Sequence, residues 1–169
     1  MKKRLFRLVF YVSVLLMTAC ATGPAFTPSV LPALQSGQAR IVLMRGHTVQ
    51  GVGTYPQVRV NGDVIGNIVL GSYAAVNVPL GATQVQLEPG SFTWSAAYGV
   101  NKYIYHVQDA QTIYLRLQMA TGTSGVVIGG RAMPAYGFDF REVSEKTAMA
   151  LLPGLRNMRN ERETRETSK

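Results

Sequence analysis

The sequence is poor in the residues that make covalent staples, metal sites and nucleophilic catalysts. Its 169 residues include one cysteine, two histidines and one tryptophan. A single thiol excludes an intrachain disulfide, and with so few imidazoles it excludes a Cys/His zinc site. Only 15% of the residues are charged, and nine of those are acidic. Stability must therefore come from a packed core, for which about 120 residues suffice. Long apolar runs are also scarce. The longest, residues 8–17, falls short of the roughly 20 residues that a membrane-spanning helix needs.

That run is informative by its position. Lys2, Lys3, Arg4 and Arg7 precede it, and Met17-Thr18-Ala19-Cys20 closes it with small residues. A basic, then apolar, then small-residue order is a secretory leader. With the only cysteine at its end, the leader resembles a bacterial lipoprotein signal with its lipobox, although Met17 stands where leucine is usual. The resemblance implies cleavage before Cys20, a diacylglycerol on its thiol and a third acyl chain on its amine. Each buried methylene contributes about 0.8 kcal/mol, so several chains anchor far more firmly than one. Ala21 follows in place of the Asp that, by analogy, retains such proteins in the inner membrane. The expected location is the periplasmic face of the outer membrane.

Removing residues 1–19 also removes four cations, leaving 13 Lys and Arg against nine acids. Five of those cations and three of the acids lie in residues 156–169. The body is nearly neutral, without the clustered cations of a nucleic-acid surface. In the tail Arg156, Arg159, Arg162 and Arg165 recur every third residue with Glu161, Glu163 and Glu166 between them. Phospholipid head groups or peptidoglycan acids would suit those arginines. The interleaved acids make a solvated, disordered tail the simpler expectation. Residues 20–37, with Pro24, Pro28 and Pro32, are expected either to form an extended tether or to dock through Val30, Leu31 and Leu34.

From 39 to 142 the hydrophobic period is two. Ala39, Ile41 and Leu43 share one parity, as do Ala74, Val76 and Val78, then Ile113, Leu115 and Leu117, then Tyr136, Phe138 and Phe140. Phe92, Trp94, Ala96 and Tyr98 repeat the pattern. Alternation of this kind puts one face in a core and the other in water. Asn61-Gly62 marks a hairpin turn in which both residues take positive φ. Further turns are expected at Leu80-Gly81, Pro89-Gly90 and 121–125. The reading is an all-β fold, a small antiparallel sandwich of transthyretin- or immunoglobulin-like kind spanning 38–155. Ser144 is placed to cap one short C-terminal helix carrying Ala148, Met149, Leu151 and Leu152, stopped by Pro153-Gly154. That helix is expected over an open end or edge of the sheet.

Across 39–142 the chain resembles a family of small bacterial envelope lipoproteins with a domain of unknown function. The resemblance rests on a first strand ending in Arg45, the Asn61-Gly62 turn, the internal Gly66, Gly71-Ser72-Tyr73, Gly81 and the strand around Tyr114-Leu115-Arg116. The first strand lacks the family's aromatics, and Leu80 replaces its usual proline. The resemblance implies a β-sandwich and carries no chemistry.

No motif supplies chemistry either. His47 and His106 are 59 positions apart, and Gly129-Gly130 lacks the Lys-Ser/Thr of a phosphate loop. A Ser95, His106, Asp109 triple can be assembled without the Gly-x-Ser-x-Gly elbow. Asp63, Glu88, Asp109, Asp139, Glu142 and Glu145 are the carboxylates open to a glycosidase pair. Tyr103, Tyr105 and Tyr114 are the candidate face for a ligand or partner, against the alternative that they rim a sandwich core. The chain is thus expected to be a non-enzyme without cofactor or metal. Its expected contacts are the membrane through Cys20 and an envelope protein or peptidoglycan, with no nucleic acid. Two other readings stand beside it. One is a hydrolase accessory with a site at His106, Asp109 and the tyrosines. The other is an anchor component of a larger envelope machine such as a secretion system.

Overall fold

A computed structural model describes residues 23–48, 55–88, 101–128 and 131–158, with backbone alone over 120–128 and 131–137. Nine strands form two sheets: β1 (Gln38–Arg45), β2 (Gln57–Val60), β3 (Asp63–Asn67), β4 (Ser72–Pro79), β5 (Gly81–Glu88), β6 (Asn101–Val107), β7 (Thr112–Ile128), β8 (Arg131–Val143) and β9 (Arg156–Asn157). The larger sheet runs β8-β7-β1-β4-β9 and the smaller β3-β2-β5-β6. One helix, α1 (Glu145–Leu151), completes the fold among the described residues. The chain is an all-β sandwich.

Local chemistry explains the turns. Asn61 and Gly62 have φ of 50° and 86°, as a two-residue hairpin between β2 and β3 requires. Leu80 connects β4 to β5, which lie in different sheets, so it turns a corner rather than a hairpin. Ser144 caps α1 by accepting the Thr147 N–H at 3.3 Å. The stretch 121–125 is not a turn. β7 passes through it, and the ladder to β8 shifts register between Gly122 and Val126, an irregularity that glycine within a strand permits.

The sandwich is not wholly antiparallel. β1 pairs in parallel with β7, and β4 with β9. Parallel neighbours need a long connection. For β1 and β7 the chain supplies it with β2 and β3 of the other sheet, a return through β4, and then β5 and β6 of the other sheet.

Between the sheets lies the main core, with Ala39, Ile41 and Leu43 from β1, Val58 and Val60 from β2, Val85 and Leu87 from β5, and Phe138 and Phe140 from β8. The expected alternation holds there. It fails on the other side of β1, where Val42 and Met44 are also fully buried. The continuous run 41–44 makes both faces of this central strand apolar, as in strands covered on both sides. The outer face carries a second core of Val42, Met44, Tyr73 and Tyr114, covered by Phe26, Ala148, Leu152 and Leu155. Helix α1 therefore packs on a sheet face, not over an open end.

The same demand for cover redraws the domain boundaries. Residues 23–37 are docked, not an extended tether. Phe26 is buried edge-on to Tyr73, with ring centroids 5.3 Å apart. Its N–H donates to the Leu155 carbonyl at 3.0 Å, and the Asn157 N–H donates to the Pro24 carbonyl at 2.8 Å. Leu31 and Leu34 are half-buried and Val30 is exposed. The Arg40 guanidinium donates to the Pro32 carbonyl, and Asn77 Nδ2 donates to that of Ala33 at 2.8 Å. At the other end, β9 and the buried Met158 belong to the fold, so the body runs to 158 rather than 155. Residues 89–100, with Phe92 and Trp94, and the tail 159–169 lie outside the described residues.

Replacing Phe26 by Ala should cost about 3 kcal/mol by denaturant unfolding of the full-length protein. A loss below about 1 kcal/mol would mean that the segment is not part of the cooperative unit. The buried Tyr73 hydroxyl has no partner among the described residues. Tyr73→Phe should then leave stability unchanged or raise it by up to about 1 kcal/mol, and a clear loss would contradict that assignment.

Candidate functional site

Cys20 lies outside the described residues, but the chain behind it is placed. A Cβ on Gly23 would stand 2.1 Å from the Asn157 carbonyl oxygen, so only glycine allows that contact. Gly23 is three residues after Cys20. Three extended residues span about 10 Å, far less than a free tether over 20–37 would give.

The three candidate tyrosines do not form one exposed face. On β6, Lys102, Ile104 and His106 point outward, with Ile104 68% exposed. Tyr103 and Tyr105 point the other way and pack against the main core. Their rings stack with centroids 6.5 Å apart, and Tyr103 meets Phe140 edge-on at 6.1 Å. Burial pushes both hydroxyls up, Tyr105 to about 12, with Asp139 beside both adding to the shift. Tyr114 is elsewhere. Parity does turn it away from Ile113 and Leu115, but that face is the second core, and Tyr114 is only 6% exposed there. An exposed aromatic at that position is therefore ruled out by the cover that α1 provides.

The polar candidates have separate tasks. His47 Nε2 lies 3.1 Å from the Gly154 carbonyl oxygen. Its ring fills the space over Gly71, where a Cβ would come within 2.1 Å and φ is +70°. That explains Gly71 in the Gly-x-Tyr motif. Asp109 Oδ1 accepts the Gly37 N–H at 3.1 Å. Glu88 pairs with Arg59 at 2.9 Å. His106 and the two core-facing tyrosines occupy opposite faces of β6, and Ser95 lies outside the described residues. No group of three His, Cys, Asp or Glu side chains among the described residues is placed to hold a metal ion.

Sequence reading gave Arg45 only as the end of the first strand. It is 2% exposed, donates Nη1 to the Ile68 carbonyl at 3.0 Å, and sits 5.0 Å over the Phe138 ring. Desolvation lowers its pKa to about 10, partly opposed by Tyr55. A charge-assisted bond and a ring face hold this cation inside the sandwich. A basic residue ending an apolar strand was the available signal, but burial was not readable from it.

No family model, curated protein or solved structure matches the chain.

A cleft of about 510 Å³ opens at one side of the sandwich, between β3 and β4. Here β9 covers Ser72 and Tyr73 and leaves the rest of β4 at the sheet edge.

Tyrosinate absorbance should show Tyr105 ionising only near pH 12, above the ordinary tyrosine value of about 10. A raised folded pKa stabilises the fold below the unfolded value and loses that contribution as pH rises through the folded one. The native protein should thus lose stability relative to Tyr105→Phe between about pH 10 and 12. Parallel curves would contradict the burial of this hydroxyl.

Proposed function

We propose that the chain is a non-enzymatic binding module of the bacterial envelope, anchored by lipid on Cys20 to the periplasmic face of the outer membrane. The observation that carries this is the leader: basic residues 2–7, the apolar run 8–17 and Met17-Thr18-Ala19-Cys20. No helix among the described residues is long and apolar enough to cross a membrane, and the proposed lipid would do the holding. The docking of residues 23–37 supports a domain held close to its anchor. The turn glycines and buried Tyr73 suit the resemblance to small envelope lipoproteins of unknown function. The separation of His106 from Tyr103 and Tyr105 favours binding over hydrolysis.

A second reading, as an anchor component of a larger envelope assembly, draws on the β7–β8 ribbon. β1 pairs with β7 only over 40–44 and 112–116, whereas β7 continues to Ile128. Two strands alone are marginally stable in water and leave edges open to another chain.

Cells fed labelled palmitate should label the native protein and not Cys20→Ser, and globomycin should accumulate a precursor larger by the leader. Equal labelling of both proteins, or a mature form unaffected by globomycin, would refute the anchor.

A further inference from the structure

We infer that the outer part of the β7–β8 ribbon enters the bilayer that carries the anchor, where ribbons of several copies of this chain pair edge to edge. This goes beyond the binding-module reading and rests on its lipid anchor.

The ribbon leaves the sandwich at the end that holds the anchor. Arg116, Met44, Tyr73 and Asn157 form one row across the larger sheet. Gly23 lies against Asn157 in that row. An acylated Cys20, three residues earlier, stands at most about 10 Å from Gly23. β7 is parallel to β1 and continues past the row, on the side where β1 ends at Arg45, to reach Ile128. From Arg141, opposite Arg116, back to Arg131 there are ten steps of β8. At strand rise they carry the ribbon about 33 Å beyond the row. A lipid on Cys20 thus brings the ribbon to the membrane, with roughly 20 Å of ribbon reaching past the anchor.

Composition agrees with that destination. Between Arg116 and Asp139 the sole charged residue is Arg131. At the ribbon's end Val126 pairs with Met133 and Val127 with Ala132. Neighbours along a strand alternate between faces, so both faces of this end carry apolar residues. A strand between core and water keeps one polar face, whereas one apolar on both faces is covered on both sides. Met119 and Phe138 still pack with the main core. Beyond them β7 has residues 120–128 left, near the roughly 9–11 of a strand that crosses a bilayer.

The backbone then decides what lies beside each ribbon. Among the described residues, β7 past Arg116 pairs only with β8, and β8 only with β7. Hydrocarbon does not tolerate the two open edges of a single ribbon. The ribbon has a β7 edge on one side and a β8 edge on the other. Copies therefore join head to tail, β8 of one to β7 of the next, and a closed ring of them leaves no edge open.

The protein as processed in cells, purified in detergent, should be reconstituted into vesicles of phosphatidylethanolamine and phosphatidylglycerol. With Cys20 acylated, Val127→Cys and Ala82→Cys each offer a single thiol for an environment-sensitive fluorophore. Ala82 is an exposed control, just past the end of β4 that pairs with Gln38, away from the ribbon. Doxyl groups on the lipid acyl chains should quench the Val127 probe several-fold and leave the Ala82 probe unchanged. Light scattering in detergent should give a multiple of the chain mass. Val127→Arg should abolish the quenching of a probe at Ala132→Cys, because a cation is costly in the apolar band. Should that variant's melting curve change, the Val127 quenching and the mass decide alone. A Val127 probe that stays in water, quenching indifferent to Val127→Arg, or an inserted monomer would overturn the inference. A fluorophore on Cys20 would refute the anchor and the inference with it. An acylated protein whose ribbon stays in water would refute the inference alone.

Discussion

The structure depends on the double burial of β1. This strand pairs with β4 on one side and β7 on the other, and it is apolar on both faces. Ala39, Ile41 and Leu43 fill the space between the sheets. Val42 and Met44 point the other way and would face water without a cover. Exposing two such side chains costs about 1.5–3 kcal/mol each. The cover is assembled from both ends of the body: Phe26 and Leu31 ahead of β1, and Ala148, Leu152 and Leu155 after β8. The segments bordering the strands are therefore parts of the core.

That constraint also explains what could be read in advance. The hairpin at Asn61-Gly62 and the cap at Ser144 are local, and local chemistry predicts them. The inward parity of Ile41, Val85, Ile113 and Phe140 follows from period two alone. Tyr114 shows where such reading ends. Its parity says which side of β7 it occupies, but not that a helix beginning 31 residues later in the chain, at Glu145, covers that side. Phe26 was hidden by its prolines, which suggest an extended segment but say nothing of docking. Met158 was hidden by the charged residues that follow it. The clue to the second core was the unbroken run 41–44, which a half-exposed strand does not carry.

The candidate functions occupy the margins of this arrangement. The proposed lipid site lies three residues before the docked Gly23, so a lipid there would hold the outer core close to the membrane. The cleft lies where the edge cover stops, because β9 is two residues long and β4 is eight. A longer β9 would close it. The tyrosines of β6 and the buried Arg45 are accounted for by packing, with Tyr103 against Phe140 and Arg45 over Phe138.

The central claim is that the described residues between 23 and 158 form one cooperative body with the segment ahead of β1 inside it. Native-state hydrogen exchange on the full-length protein tests this most directly. The account predicts that the amides of Phe26, Asn157 and Met158, which donate to Leu155, Pro24 and Tyr73, exchange slowly and with the same stability dependence as those of β1. Exchange of 23–36 at unfolded-chain rates, while β1 remains protected, would contradict it and restore the free tether.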